Sequence, residues 1–205
     1  SRVRGFTVDD AHIFCTPDQV ESEFKNTIDL VLYVFNSLGF NDFSAQVSLR
    51  DPDNPDKYIG SDKNWEISEK AILDCAKEKG LDYKVEYGEA AFYGPKLDFY
   101  LHDAIGRVWQ CGTLQVDFNL PNRLGASYIG EDNNKHIPIM LHRAILGSLE
   151  RFLGILIENY EGKFPLWLSP VQAAITTITS GSNQAAERII EKLRDNGIRS
   201  VIDLR

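Results

Sequence analysis

The sequence predicts an α+β fold: an antiparallel sheet with flanking helices, followed by a partial α/β domain. Three observations carry that expectation. Between Tyr83 and Phe118 three strand-like segments follow one another through connections too short for parallel crossovers. Stretches of helical period lie on either side of them. Beyond the interruption at Gly162, Pro165 and Pro170 the pattern changes to a single strand–helix–strand unit. The expected domains are residues 1–166 and 167–205. A chain of 205 residues, 43% apolar and 11% aromatic, suffices for one sizeable core or one and a half domains.

Each element has a local reason. The opening "RVRGFTVDDAHIF" reads as a strand, with Val8, Asp10, His12 and Phe14 on one face and Thr7, Asp9, Ala11 and Ile13 on the other. Thr16, Pro17 and Gln19 form a helix start with a capping box, and Val20, Phe24, Ile28, Val31, Leu32 and Phe35 recur at helical spacing until Gly39. "FSAQVSL" is a strand, "RDPDNPDKYIGSD" a polar loop, and Lys63 to Lys79 a helix closed by Gly80. The strands "YKVEYG", "KLDFYLHD" and "RVWQCGTLQVDF" follow, then "KHIPIML", which runs into a long helix, "HRAILGSLERFLGILIENY". Last come the strand "AAITTIT", the helix "NQAAERIIEKLRDNG" and the strand "IRSVIDL". Both ends read as cuts through larger domains, since this last unit is too small to bury a parallel sheet.

Composition excludes some functions. A net charge of -8 gives no basic footprint for bulk nucleic-acid binding, though local basic residues remain available. Cys15, Cys75 and Cys111 are odd in number and far apart, which suits a reducing cytoplasm. No signal peptide and no membrane-spanning run is apparent, so a cytoplasmic protein without membrane contact is expected.

Several residues are candidates for chemistry, each with a plainer alternative. Asp10 and His12 are either a substrate-binding acid and a metal ligand or a polar pair inside a sheet. His142, at the junction of a strand and the long helix, supplies a second nitrogen ligand for zinc if the two segments pack together. Cys111, Asp10 or a residue preceding the chain would be the third. His102 and His136 lie near turns, as solvated histidines do. Ala144, Gly147, Ser148 and Arg151 form a small-residue stripe on the long helix, against which another helix or a flat ligand lies. Lys96, at a strand start, is either a surface cation or a charge for phosphate. Gln110 and Gln115 differ by an odd number, so a regular strand separates them; a bulge at Gly112 brings both to one face.

Taken together, "RVRGFTVDDAHIF", "AFYGPKLDF", "QCGTLQVDFNLPNRLGASYIGEDN" and "HRAILGSLERFLGILIENYEGKFPLWLSPVQ" resemble the threonyl-tRNA synthetase family of class II aminoacyl-tRNA synthetases, over essentially the whole chain. The resemblance implies ATP-dependent activation of threonine and its transfer to tRNA(Thr), with Zn(2+) in the site, Mg(2+) accompanying ATP, and a homodimer for the complete protein. It implies His12 and His142 as two zinc ligands, the third being a cysteine outside this chain. Asp10, Tyr93 and Gln115 become threonine contacts. Arg2, Phe6, Lys96, Gln110, Ser148 and Arg151 become ATP contacts, with Phe6 and Arg151 on the two faces of adenine and Lys96 near phosphate; Lys96 and Arg151 are the catalytic candidates. Val8 departs from the family, which usually has a glutamine there. Motif 1, the first half of motif 2 and the cysteine ligand are expected outside this chain, so the isolated chain is expected to bind zinc weakly and to form no adenylate. Two rivals are a zinc-dependent hydrolase using Asp10 as base and a non-catalytic module that binds tRNA or protein.

Overall fold

The computed structural model describes residues 3–204. Two compact units divide between Leu156 and Ile157.

The first unit is built on a six-stranded sheet. Its strands are β1 (Ala11–Cys15), β2 (Phe43–Leu49), β3 (Tyr83–Tyr87), β4 (Lys96–His102), β5 (Val108–Asp117) and, after a two-stranded hairpin of β6 (Tyr128–Ile129) and β7 (Lys135–His136), β8 (Ile139–Ala144). The order across the sheet is β1-β8-β5-β4-β2-β3. Every pairing is antiparallel except β2 with β3. That parallel pair departs from the all-antiparallel expectation. The chain from β2 to β3 passes through α2 (Asp62–Glu78), long enough for a crossover, and β4 then pairs with β2 rather than with β3.

Helix α1 (Val20–Ser37) lies over β5 and β8, and α2 over β2. Its start is a 3-10 turn at Pro17–Gln19, and the Gln19 side chain accepts the Thr16 N–H at 3.0 Å. The helices cover one face of the sheet, on which Val47, Leu97, Phe99, Leu114, Val116 and Leu141 are fully buried. Phe24, Ile28 and Phe35 from α1 and Ile72 from α2 complete the core, with the Phe35 ring 6.2 Å from Phe99.

Two expected elements are shorter than the sequence suggests. The opening strand is confined to Ala11–Cys15, because its partner β8 ends at Ala144, and beyond it Val8 meets Ser148 only through an isolated bridge. The helix expected over "HRAILGSLERFLGILIENY" begins only at Leu149, as α4 (Leu149–Tyr160). His142 and Arg143 belong to β8, and Gly147 at φ 68° breaks the helical path. A Cβ at Gly147 would also stand 3.0 Å from the Cys111 carbonyl oxygen. Ala144, Gly147, Ser148 and Arg151 therefore do not form a helix stripe.

In the second unit β9 (Ala173–Thr176) and β10 (Ser200–Asp203) pair in parallel through α5 (Asn183–Asp195), whose Ala186 and Ile190 are buried. This is the expected β-α-β unit.

Candidate active site

The face of the six-stranded sheet opposite the helices is polar. Residues directly opposed on neighbouring strands share a face, and His12 opposes His142, His142 opposes Gln115, Gln115 opposes Lys96, and Lys96 opposes Ser48. The next row runs from Ala144 through Thr113 and Asp98 to Gln46. Four of the candidate residues, contributed by four strands, thus stand in one line across the sheet.

The glutamine parity is resolved by the anticipated bulge. Phe99 opposes Gly112 whereas Tyr100 opposes Gln110, leaving Cys111 as the extra residue. Gln110, Thr113 and Gln115 consequently share the polar face. A Cβ at Gly112 would crowd Phe99 at 3.2 Å and the Ile145 carbonyl oxygen at 3.3 Å.

At one end of the row the His12 and His142 rings lie 4.7 Å apart, edge to face. His142 Nε2 stands 3.0 Å from Asp117 Oδ2. With the carboxylate oxygen as acceptor, Nε2 is the donor in this contact, which leaves Nδ1 for another partner. The Tyr93 ring is 5.2 Å from His142, and its hydroxyl donates to Gln115 Oε1. Burial, and then the negative charges of Asp117 and Asp10, push the Tyr93 phenol above its ordinary range. Tyr93 is placed there by Gly94, where a Cβ would come within 1.8 Å of the Val116 carbonyl oxygen.

Among the described residues no three His, Cys, Asp or Glu side chains form a cluster able to hold a metal. Two imidazoles, one oriented by a buried carboxylate, are the donors present. Cys111, the buried extra residue of the bulge, is not brought together with the two imidazoles in such a cluster.

Beside this row lies an open cleft of about 700 Å³, lined among others by Phe6, Val8, Gln110, Thr113, Ser148 and Arg151. Ala144 and Gly147 line it too, so the four residues once assigned to a helix stripe meet at the cleft instead. Arg151 is fixed by donating from Nη2 to the Gln110 carbonyl oxygen at 2.5 Å, with its guanidinium carbon 5.6 Å from the Trp109 ring centre. Val8 makes an isolated bridge to Ser148. Of the candidate residues, Arg2 lies outside the described ones.

Sequence reasoning passed over Asp9, Asp98 and Asp117. The Asp9 carboxylate accepts the N–H groups of Ile145, Leu146 and Gly147 at 2.9–3.2 Å, and Leu149 N donates to the Thr7 carbonyl oxygen at 2.9 Å. The Glu150 carboxylate accepts the Thr7 N–H at 3.0 and 3.1 Å. These contacts stitch residues 7–9 to the turn that carries Ser148. Asp98 and Asp117 are fully buried. No signal in the sequence marks Asp98 and Asp117 as buried, since β4 and β5 carry polar residues at alternating positions as half-solvated strands do.

A largely antiparallel sheet with helices on one face and a polar opposite face is the fold of a class II synthetase core. The chain belongs to that family: residues 1–160 match the model of the tRNA synthetase class II core domain (G, H, P, S and T). Within it, the chain is 60% identical to the threonine--tRNA ligase of Cytophaga hutchinsonii over 205 residues, covering 100% of this chain and 32% of that protein. It is 57% identical to the threonine--tRNA ligase of Bacteroides fragilis over 203 residues, 99% of this chain and 31% of that protein. A solved structure described as the RNA binding domain of threonyl-tRNA synthetase from Cryptosporidium parvum superposes with a TM-score of 0.89 at 37% identity, covering 99% of this chain and 50% of that one. A Staphylococcus aureus histidyl-tRNA synthetase, at 14% identity and TM-score 0.57, shares the fold. The chain spans about a third of the length of the curated relatives it matches.

Proposed function

We propose that the chain is part of a threonine–tRNA ligase, which activates threonine with ATP and passes the threonyl group to tRNA(Thr). The observation that carries this reading is the line His12–His142–Gln115–Lys96 beside the open cleft, in a chain this similar to threonine--tRNA ligases. The histidine end suits the amino acid. Tyr93 and Gln115, already hydrogen-bonded to each other, would turn their polar atoms to threonine, with the exposed carboxylate of Asp10 holding the substrate hydroxyl. The cleft end suits the nucleotide. Phe6 and Arg151 would take the two faces of adenine, Gln110 and Ser148 the ribose side, and Lys96 the phosphate.

His12 and His142 would hold Zn(2+) as two of its protein ligands, the third coming from elsewhere. A zinc ion with three protein ligands supplies open coordination for the amino and hydroxyl groups of threonine. Valine, which has nearly the same shape but lacks the hydroxyl, would leave the polar groups of this pocket unpaired, a penalty worth roughly 10⁴-fold or more. The activation step, attack of the threonine carboxylate on the α-phosphate with cleavage of the α–β phosphoanhydride and departure of pyrophosphate, needs positioning and positive charge rather than a protein nucleophile, and Lys96 and Arg151 would provide charge in addition to that of Mg(2+).

A homodimer and a cytoplasmic setting belong to the same reading, the second in keeping with three buried free thiols. Among the described residues no helix is long and apolar enough to cross a membrane. The test is threonine-dependent ATP–pyrophosphate exchange by the complete gene product, with and without a zinc chelator. Exchange specific for threonine and lost on chelation is expected; exchange absent, or equal with valine, sinks the reading. The chain by itself is expected to give none above background.

A further inference from the structure

Lys96 is not free to wait for a phosphate. Its ammonium stands 2.9 Å from Asp98 Oδ2, with 18% of the lysine side chain exposed and none of the aspartate. The other carboxylate oxygen, Asp98 Oδ1, accepts from Gln110 Nε2 at 2.8 Å and from Thr113 Oγ1 at 2.7 Å. Oδ2 has no aligned hydrogen-bond donor among the described residues, so the lysine charge is what offsets its burial.

The aspartate is therefore the common partner of three side chains. Gln110 and Thr113 line the cleft, and Lys96 follows in the adjoining row. The bulge at Cys111 is what allows the convergence, since without it Gln110 would point away from Asp98. A carboxylate buried in the floor of a sheet is a poor choice for stability alone, because an apolar residue of similar size would avoid the cost of its desolvation.

Resting on the reading of the cleft as a nucleotide site, we propose that Asp98 is a positioning residue for ATP. Its buried carboxylate holds Lys96, Gln110 and Thr113 in the arrangement that meets the nucleotide and its phosphates. Being fully buried, it acts through those three side chains and touches no substrate.

The test uses the complete gene product carrying Asp98→Asn, which keeps the shape and removes the charge, and Asp98→Glu, which keeps the charge. In exchange assays D98N should raise KM for ATP about tenfold, the worth of one charge-assisted hydrogen bond, while KM for threonine stays within about twofold. D98E should recover most of the loss. A second readout needs no activity: mass-spectrometric footprinting with an amine-reactive ester should label Lys96 several-fold faster in D98N, because the ammonium is released from its partner. Equal KM for ATP in an active unsubstituted protein and in D98N, or unchanged Lys96 labelling, overturns the positioning role alone. A merely structural aspartate would instead lower the active fraction and kcat and leave KM for ATP in place. Absence of exchange in the unsubstituted protein overturns the nucleotide reading, and the role of Asp98 toward ATP falls with it.

Discussion

Two aspartate–histidine pairs in this molecule have nearly the same geometry and different surroundings. In one, His142 Nε2 lies 3.0 Å from Asp117, with 15% of the histidine side chain exposed and none of the aspartate. In the other, His136 Nε2 lies 2.9 Å from Asp132, with 44% and 51% exposed. The first sits beside His12, Tyr93 and Gln115 on the polar face of the sheet. The second closes the β6–β7 hairpin, where Asn133 adopts a left-handed φ of 59°. Contact distance therefore does not distinguish the two pairs. What distinguishes them is burial, because a carboxylate withdrawn from water must be satisfied on every side, and the residues that satisfy it lose their freedom. Asp117 accepts from His142 and from the N–H groups of Asn119 and Leu120 at 2.8 and 2.9 Å, so it fixes a ring and a chain turn together.

The sharpest way to break this comparison is to delete both acids. Asp117→Ala takes the acceptor from two backbone N–H groups and an imidazole, and chemical denaturation should register a loss of about 1–3 kcal/mol for each donor left unpaired. Asp132→Ala leaves its partners in water, and its denaturation midpoint should coincide with that of the unsubstituted protein. Equal effects from the two substitutions would show that burial is not the discriminating property.

A smaller effect follows if His142 is a metal ligand as proposed. Asp117 fixes which ring nitrogen of His142 carries the proton, and loss of such a support typically weakens metal binding by roughly 10–100-fold. Competition between the complete gene product and a zinc chelator should show that weakening for Asp117→Asn and none for Asp132→Asn. Unaltered zinc affinity in Asp117→Asn would leave the buried pair with a purely architectural role.

The difference between the pairs also explains what the sequence made legible. The apolar face of the sheet was read without difficulty, since Leu97, Phe99, Leu114 and Val116 alternate as a half-buried strand should. The bulge was readable as well, because Gly112 stands between two glutamines of opposite parity. Asp98 and Asp117 were not, for alternation assigns a polar residue in a strand to the solvent face, and only the three-dimensional partners reveal that this face is covered. The strand–helix border near His142 was misplaced for a related reason. "HRAILGSLER" carries a helix-like spacing of apolar residues, while the features that overrule it are the β8 pairing with β1 and β5 and the Asp9 carboxylate capping residues 145–147. The parallel pairing of β3 escaped because connection length was judged between consecutive strands, whereas β3 and β4 are separated in space by β2.

The exposed pair offers the smallest effect and the most direct physical check. Asp132 is held at about 2, first by the hydrogen bond from His136 and then by the backbone and side-chain donors of Asn134. Since an unfolded aspartate titrates near ~3.9, the folded value is depressed. The contribution of Asp132 to hairpin stability is therefore fully present above ~3.9 and is lost as pH falls through about 2. Following the Asp132 carboxyl carbon by NMR against pH should place its midpoint near that lower value. His136→Ala should move the midpoint upward toward the ordinary carboxylate range, and the remaining bonds from Asn134 should keep it from arriving there. A midpoint indifferent to His136→Ala would remove the histidine as the principal cause and leave Asn134 in its place. Because the pair is solvated, the same substitution should leave global unfolding unchanged, which separates a hydrogen bond that merely tunes a carboxylate from one that organises an interior.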